Sequence, residues 1–322
     1  MATGSATAKL ILCGEHAVVY GEPAISIPFA QAVIQTEVIK TEKETKFSSA
    51  FYTGDLKNMP DFLEGIKQMV VAILDKLGQA PVLIRVLSEV PIGRGLGSSA
   101  AVSTSIARAL YAYFEQTISD SELLELVNQS EKIAHGNPSG VDAVTVVTGK
   151  PIWFEKNKTL EPLHFEKKIY LVVADTGIPS ETRSAVSDVG RLLQENPKKY
   201  RPFIAELGNI SREIRGQLEN NPDLKIIGAE MNKAQNLLEQ LTVSDSSLEK
   251  LIRVALQNGA LGAKLTGGGR GGCMISLVAG AKQAEKVAQA LKNAGAAQEW
   301  IFTIGEGNHE SNSDSSHEYS AH

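Results

Sequence analysis

The sequence predicts two α+β domains of similar size, and three observations carry that expectation. The chain has 322 residues, beyond the roughly 250–300 at which a single hydrophobic core stops growing. Strand-like and helix-like apolar spacings are interleaved through its first half, which argues for mixed layers. From residue 169 onward the pattern turns mostly helical, placing a boundary between an N-terminal domain, 1–167, and a C-terminal domain, 168–305.

Hydrophobic residues make up 43% and charged residues 21%, an ordinary globular balance. The net charge of −5 argues against a nucleic-acid binder, while a local pocket can still be positive on an acidic chain. Two cysteines, Cys13 and Cys273, lie far apart. That argues against a disulfide framework and fits a reducing compartment. No stretch approaches the ~20 apolar residues that span a bilayer. The first residues lack the charged and long apolar regions of a secretory signal, so a soluble cytoplasmic protein is expected.

Thr7–Leu12 reads as a strand ended by the turn Cys13–His16, and Val33–Thr41 as another. Asp61–Leu77 has helical spacing at Phe62, Ile66, Met69, Val70, Ile73, Leu74 and Leu77. Val82–Val90 follows as a strand, then a glycine-rich loop, then a helix from Ser98 to about Phe114. Ser119 and Glu122 form a capping box that opens a helix to about Ala134. Val144–Thr148 and Pro151–Phe154 read as a strand pair around Gly149-Lys150. Ile169–Asp175 is a core strand. Helices follow on the stripe from Phe203 to Leu218, at Ile226–Leu241 and at Ser247–Asn258, where Gly259 is a stop. Met274–Val278, Lys282–Ala294 and Trp300–Ile304 read as strand, helix and strand. The tail, 306–322, has no apolar periodicity and is expected to be disordered.

The loop Gly93-Arg94-Gly95-Leu96-Gly97-Ser98-Ser99 joins a strand to a helix. Its glycines open backbone conformations closed to other residues. The helix start adds free N–H donors and the positive end of a dipole. The two serine hydroxyls suit a phosphate oxygen or a Mg²⁺ ion. A flexible connector with a serine cap is the bland alternative. There is no G-x-x-x-x-G-K-[ST], and the glycine spacing is not G-x-G-x-x-G, so neither a P-loop nor a dinucleotide site fits.

Phosphoryl transfer needs a metal ligand and a group that orients or deprotonates the attacking hydroxyl. Glu131, near a helix end, and Asp142, at the close of the loop 135–142, could divide those roles, or be a helix-face and a loop-capping acid. Lys9 interrupts an apolar strand, where a lysine either snorkels to solvent or points into a site. Between Lys264 and Cys273, five glycines fall within six positions. That exceeds what a hairpin needs and favours close approach to a backbone or ligand.

Together these segments resemble the GHMP kinases over about residues 6–305. Three family motifs appear in order: Lys9–Gly21 (KLILCGEHAVVYG), Pro91–Ala101 (PIGRGLGSSAA) and Lys264–Cys273 (KLTGGGRGGC). The resemblance implies an N-terminal domain with a left-handed βαβ unit, against the usual hand, and a ferredoxin-like C-terminal domain. ATP, Mg²⁺ and substrate would lie between them. Carried over by motif position, Gly93, Arg94, Gly95, Leu96, Gly97, Ser98 and Ser99 would cradle the triphosphate. Ser99 and Glu131 would hold Mg²⁺, Asp142 would be the base, and Lys9 would stabilise the transferring phosphoryl group. The first motif, Glu131–Asp142, and Asp175–Gly177 with Thr182-Arg183 are similar to the branch that takes mevalonate. That implies mevalonate as acceptor, with Glu15, His16, Thr182 and Arg183 around it.

The pattern departs from the family in two places. Thr7-Ala8 stands where Pro-Gly is common, and Gly268 and Arg270 replace Ala and Gly in the third motif. Arg270 would then meet phosphate or solvent. A homodimer is compatible with the resemblance. Phosphomevalonate as acceptor and a non-catalytic ligand sensor stay open as alternatives. Lys9, Glu131 and Asp142 together argue against the sensor.

Overall fold

Alternation of buried and exposed side chains along Val33–Lys40, with Ile34, Thr36 and Val38 turned inward, makes half of a long strand the spine of the first sheet. In the computed structural model, which describes residues 1–88, 93–136, 138–156, 158 and 160–305, that spine is β2 (Ala24–Lys40). It pairs antiparallel with β1 (Ala2–Cys13) along almost its whole length. The strand starts earlier than Val33 because residues 24–27 are buried on both faces and so show no alternation. Pro28 within it, opposite Lys9, also argues against a strand on sequence alone.

Two short strands, β3 (Lys46–Ser48) and β4 (Thr53–Asp55), precede helix α1 (Glu64–Leu77) and strand β5 (Val82–Ser88). β3 and β5 are parallel, and the crossover that joins them contains α1. Next come α2 (Ser98–Tyr113), α3 (Asp120–His135), α4 (Val141–Thr148), β6 (Ile152–Phe154) and β7 (Glu161–Pro162). The order across this sheet is β4-β3-β5-β2-β6-β7, with β1 on β2. Ser119 caps α3 by accepting from the Glu122 N–H, as its capping box predicts.

The expected strand pair around Gly149-Lys150 is a correction. Residues 141–148 are helix α4, despite their β-branched run, and Asp142 sits in its first turn rather than closing a loop. Gly140, in the left-handed region at φ 90°, starts the helix, and five of its first seven residues are hydrophobic and buried in the core. Thr145 and Thr148 donate their hydroxyls back to the carbonyls of Val141 and Val144. Tertiary burial overrides the strand propensity here.

The second sheet uses β8 (Ile169–Asp175), then helices α5 (Thr182–Glu195), α6 (Pro197–Glu219), α7 (Leu224–Gln240) and α8 (Ser246–Gln257). The hairpin β9 (Gly262–Thr266) and β10 (Cys273–Val278), helix α9 (Ala281–Asn293) and β11 (Gln298–Ile304) complete it. Its order is β11-β8-β10-β9 with every neighbour antiparallel, the ferredoxin-like arrangement that the resemblance implied. One buried cluster runs through both sheets, from Phe29, Ile34 and Ile106 to Leu171, Met231 and Leu277. Phe29 lies edge-on to Trp300 and Phe302 at centroid separations of 5.6 and 5.4 Å. Cys13 and Cys273 are free thiols, both buried. No helix among the described residues is long and apolar enough to cross a membrane. The expected tail disorder, at 306–322, lies outside the described residues.

Candidate functional site

Helix α2 begins at Gly97, in the left-handed region at φ 66°, with no side chain capping its first turn. Gly93 and Gly95 also take positive φ, 77° and 78°. The first-turn N–H groups are thus left for an anion. Among the described residues a Cβ on Gly93 would meet nothing within 4 Å, while one on Gly97 would strike the stem of Lys9 at 2.8 Å. The loop therefore rests on Lys9. That lysine, on β1, is only 1% exposed. Its N–H donates to the Leu96 carbonyl at 2.9 Å, and its Nζ donates to the Gly95 carbonyl at 3.4 Å. Nζ also pairs with Asp142 Oδ1 at 2.8 Å. Of the two expectations for Lys9, the structure chooses the inward one.

Asp142 keeps 35% of its side chain exposed, open to a ligand. Glu131, at the end of α3, is buried. Burial pushes its carboxyl up; the nearby Ser99 hydroxyl at the start of α2 and His135 oppose that shift, while Asp142 adds to it. Glu131 Oε1 is buried with no hydrogen-bond partner among the described residues. Lys9, Ser99, Glu131 and Asp142 thus converge from β1, α2, α3 and α4. Among the described residues no group of three or more His, Cys, Asp or Glu is arranged to hold a metal by itself.

The turn after β1 faces the second sheet. His16 is held at φ 61°, and its Nε2–H donates to the Gly268 carbonyl at 3.1 Å. Burial lowers its pKa to about 4, so the ring is neutral near neutrality. Glu15 points inward, where its carboxylate pairs with Lys264 of β9. The Thr266 hydroxyl donates to the Ile11 carbonyl and accepts from the Ile11 N–H, both at 3.0 Å. Thr182, at the start of α5, packs on Gly268 and bonds to Ser180 at 3.2 Å. Arg183 is exposed.

The glycines of the second run are explained by close approach to backbone. A Cβ on Gly267 would fall on the Gly95 carbonyl, on Gly269 on the Val243 carbonyl, and on Gly272 on the Arg94 carbonyl. The Arg94 side chain turns to Asp175, at 3.3 Å. Arg270 is partly exposed and turns away from the loop 93–99. It takes φ 53°, pairs with Asp188 of α5 at 2.7 Å and donates to the Thr242 carbonyl at 3.1 Å.

Models for the GHMP kinases N terminal domain and the GHMP kinases C terminal domain match residues 64–150 and 187–297. The mevalonate kinase of Thermococcus gammatolerans is 34% identical over 317 residues, covering 90% of this chain and 92% of that relative. The chain belongs to the GHMP kinase family. A crystal structure of L. major mevalonate kinase in complex with R-mevalonate superposes on this GHMP kinase with a TM-score of 0.80. It is 27% identical, covering 95% of this chain and 96% of that one. The mevalonate kinase structure from methicillin-resistant Staphylococcus aureus gives 0.72 at 32% identity, covering 94% and 98%.

The sequence reading of this GHMP kinase gave no role to Lys264, Thr266 or the Arg94–Asp175 contact. Lys264 had a usable signal: like Lys9, it is a lysine inside an apolar strand, between Ala263 and Leu265. Nothing in one sequence pairs Arg94 with Asp175.

Proposed function

We propose that the chain transfers the γ-phosphoryl group of ATP to the 5-hydroxyl of mevalonate, the first phosphorylation on the mevalonate route to isoprenoids. The observation that carries phosphoryl transfer is the Lys9–Asp142 pair at 2.8 Å, set directly beneath the uncapped start of α2. The acceptor rests on the relatives, which are mevalonate kinases over 90% of this chain. In this reading Gly93–Ser99 hold the triphosphate through backbone N–H groups. Asp142 orients the primary hydroxyl and takes its proton. Lys9 keeps the Asp142 carboxylate in place and meets the charge developing on the transferring phosphoryl group.

A Mg²⁺ ion fits the donor set: the Ser99 hydroxyl and Glu131, whose Oε1 is buried and unpartnered among the described residues. A hard cation held by one or two protein oxygens plus phosphates is the usual magnesium arrangement. When bound, it neutralises phosphate charge. The change of sheet between β7 and β8 supports a domain division at 167/168.

Charge on the acceptor side favours mevalonate. Lys264, Arg94 and Arg270 each face a carboxylate already, which leaves exposed Arg183 for the single acceptor carboxylate. Phosphomevalonate would bring a further dianion to a place where the described residues offer no second free cation. An ADP-release assay with mevalonate, phosphomevalonate, galactose and homoserine tests the reading. The kcat/KM for mevalonate should exceed that for phosphomevalonate by at least ~10³-fold. Faster turnover of any other acceptor would retain the family and overturn the substrate.

A further inference from the structure

The Glu15–Lys264 pair has the most complete burial of any ion pair among the described residues, with both side chains 0% exposed. It also joins the first family motif to the third, across the two sheets. Lys264 Nζ makes one further bond, to the Leu265 carbonyl at 2.7 Å. Glu15 Oε2 is buried with no hydrogen-bond partner among the described residues. An arrangement so costly in desolvation is weak evidence for stability. What it does settle is register. Glu15 is followed by His16, whose left-handed backbone is sterically unfavourable for a non-glycine residue and whose ring is tied to Gly268. Lys264 is followed two residues later by Thr266, which grips Ile11 on both sides. Gly268, next along, carries Thr182.

We propose that Lys264 is a positioning residue for the acceptor: paired with Glu15, it fixes the turn bearing His16 against the hairpin that supports Thr182. Glu15 is then the counter-charge of Lys264, and its carboxylate does not meet the acceptor. This rests on the mevalonate reading above, for which His16 and Thr182 border the acceptor. The nucleotide side has its own anchor in Lys9, which bonds the Leu96 and Gly95 carbonyls, although the hairpin also packs on Arg94 and Gly95.

The test is a double-mutant cycle on the full chain with Glu15→Gln, Lys264→Met and the two combined. Steady-state kinetics and Tm are measured for each. Each single change should raise the mevalonate KM by at least ~10-fold, the scale of a small misplacement of bound groups, with the ATP KM within about 2-fold of the parent. Because the two side chains act as a unit, the combined variant should be no worse in mevalonate KM than the poorer single. Its Tm should lie above that of Lys264→Met, which strands a buried carboxylate. A purely structural role would lower Tm without splitting the two KM values. Additive losses in the combined variant would overturn the proposal. So would a mevalonate KM raised in Glu15→Gln but unchanged in Lys264→Met, which would put that carboxylate on the acceptor. If Lys264→Met does not fold, Glu15→Gln and the combined variant decide: equal mevalonate KM supports the unit, and a further tenfold rise refutes it. A parent that does not turn over mevalonate would sink the acceptor reading instead. The pairing would then be judged from Tm alone, where additive losses overturn it.

Discussion

A methyl group added at Gly93 would meet none of the described residues, whereas one at Gly269 would fall on the Val243 carbonyl oxygen. Both glycines have positive φ, 77° and 78°, so conformation does not separate them; what surrounds them does. The first run presents backbone N–H groups outward at a helix start. The second is pressed between the first run, the stretch 178–182 and the turn after α7. One leaves room for an anion, and the other removes room so that the two sheets can meet beside the Lys9–Asp142 pair. Glycine density alone reports a need for unusual backbone. Only the neighbours tell whether the need is a ligand or a close contact.

The largest effect belongs to the pair beneath the first run. Asp142→Asn should lower kcat by at least ~10²-fold, the low end for a positioned base, while the ATP KM changes little. Steady-state kinetics check this, and near-parental turnover would remove Asp142 from the mechanism and the first run from the reacting centre.

The two runs themselves come next. Gly269→Ala combines left-handed strain with overpacking against backbone, roughly 2–5 kcal/mol together. Calorimetry should show Tm lower by about 5 °C or more, with the ATP KM less affected once the protein is folded. Gly93→Ala bears only the strain, about 1–2 kcal/mol, and should act mainly on the ATP KM. If the two substitutions moved Tm and KM in the same proportions, the distinction between the runs would fail.

The smallest effect is a pH slope. His16, neutral in the fold with a pKa near 4, takes up a proton in the unfolded chain below its ordinary value of about 6.5. The unfolded state therefore binds more protons between about pH 4 and 6.5, and His16 costs stability as pH falls through that window. Buried Glu15 and Glu131, with raised pKa values, act with the opposite sign and are common to both proteins compared. His16→Gln, whose amide can still donate to the Gly268 carbonyl, should lose less Tm than the parent between pH 7 and 5. Equal losses would mean that the ring is not held neutral against the second run.

Most long amphipathic helices were legible because each repeats one period over several turns, though α5 was not read, and the strand Ile169–Asp175 because it is one unbroken apolar run. The strands β3, β4, β7 and β9 were not, being too short or buried on both faces. The first half of β2 was masked by Pro28, and α4 by Val141, Val144, Val146 and Val147. At the site, glycine loops and isolated charges could be noticed but not paired. Lys9 was ambiguous until Asp142 stood 2.8 Å away. Arg270, undecided between phosphate and solvent, is taken by Asp188, a partner that no local pattern identifies.

Phe29 sits on β2 yet finds its aromatic partners, Trp300 and Phe302, on β11. Segments far apart in the sequence must therefore both be in place before this ring is covered. A chain leaving the ribosome cannot finish the first sheet's core until β11 has emerged, since that strand supplies part of that core. Cut after residue 167, the N-terminal fragment would keep Phe29 bare and invite self-association through that face. Transplanting one half into a hybrid kinase would require carrying this aromatic contact along with it.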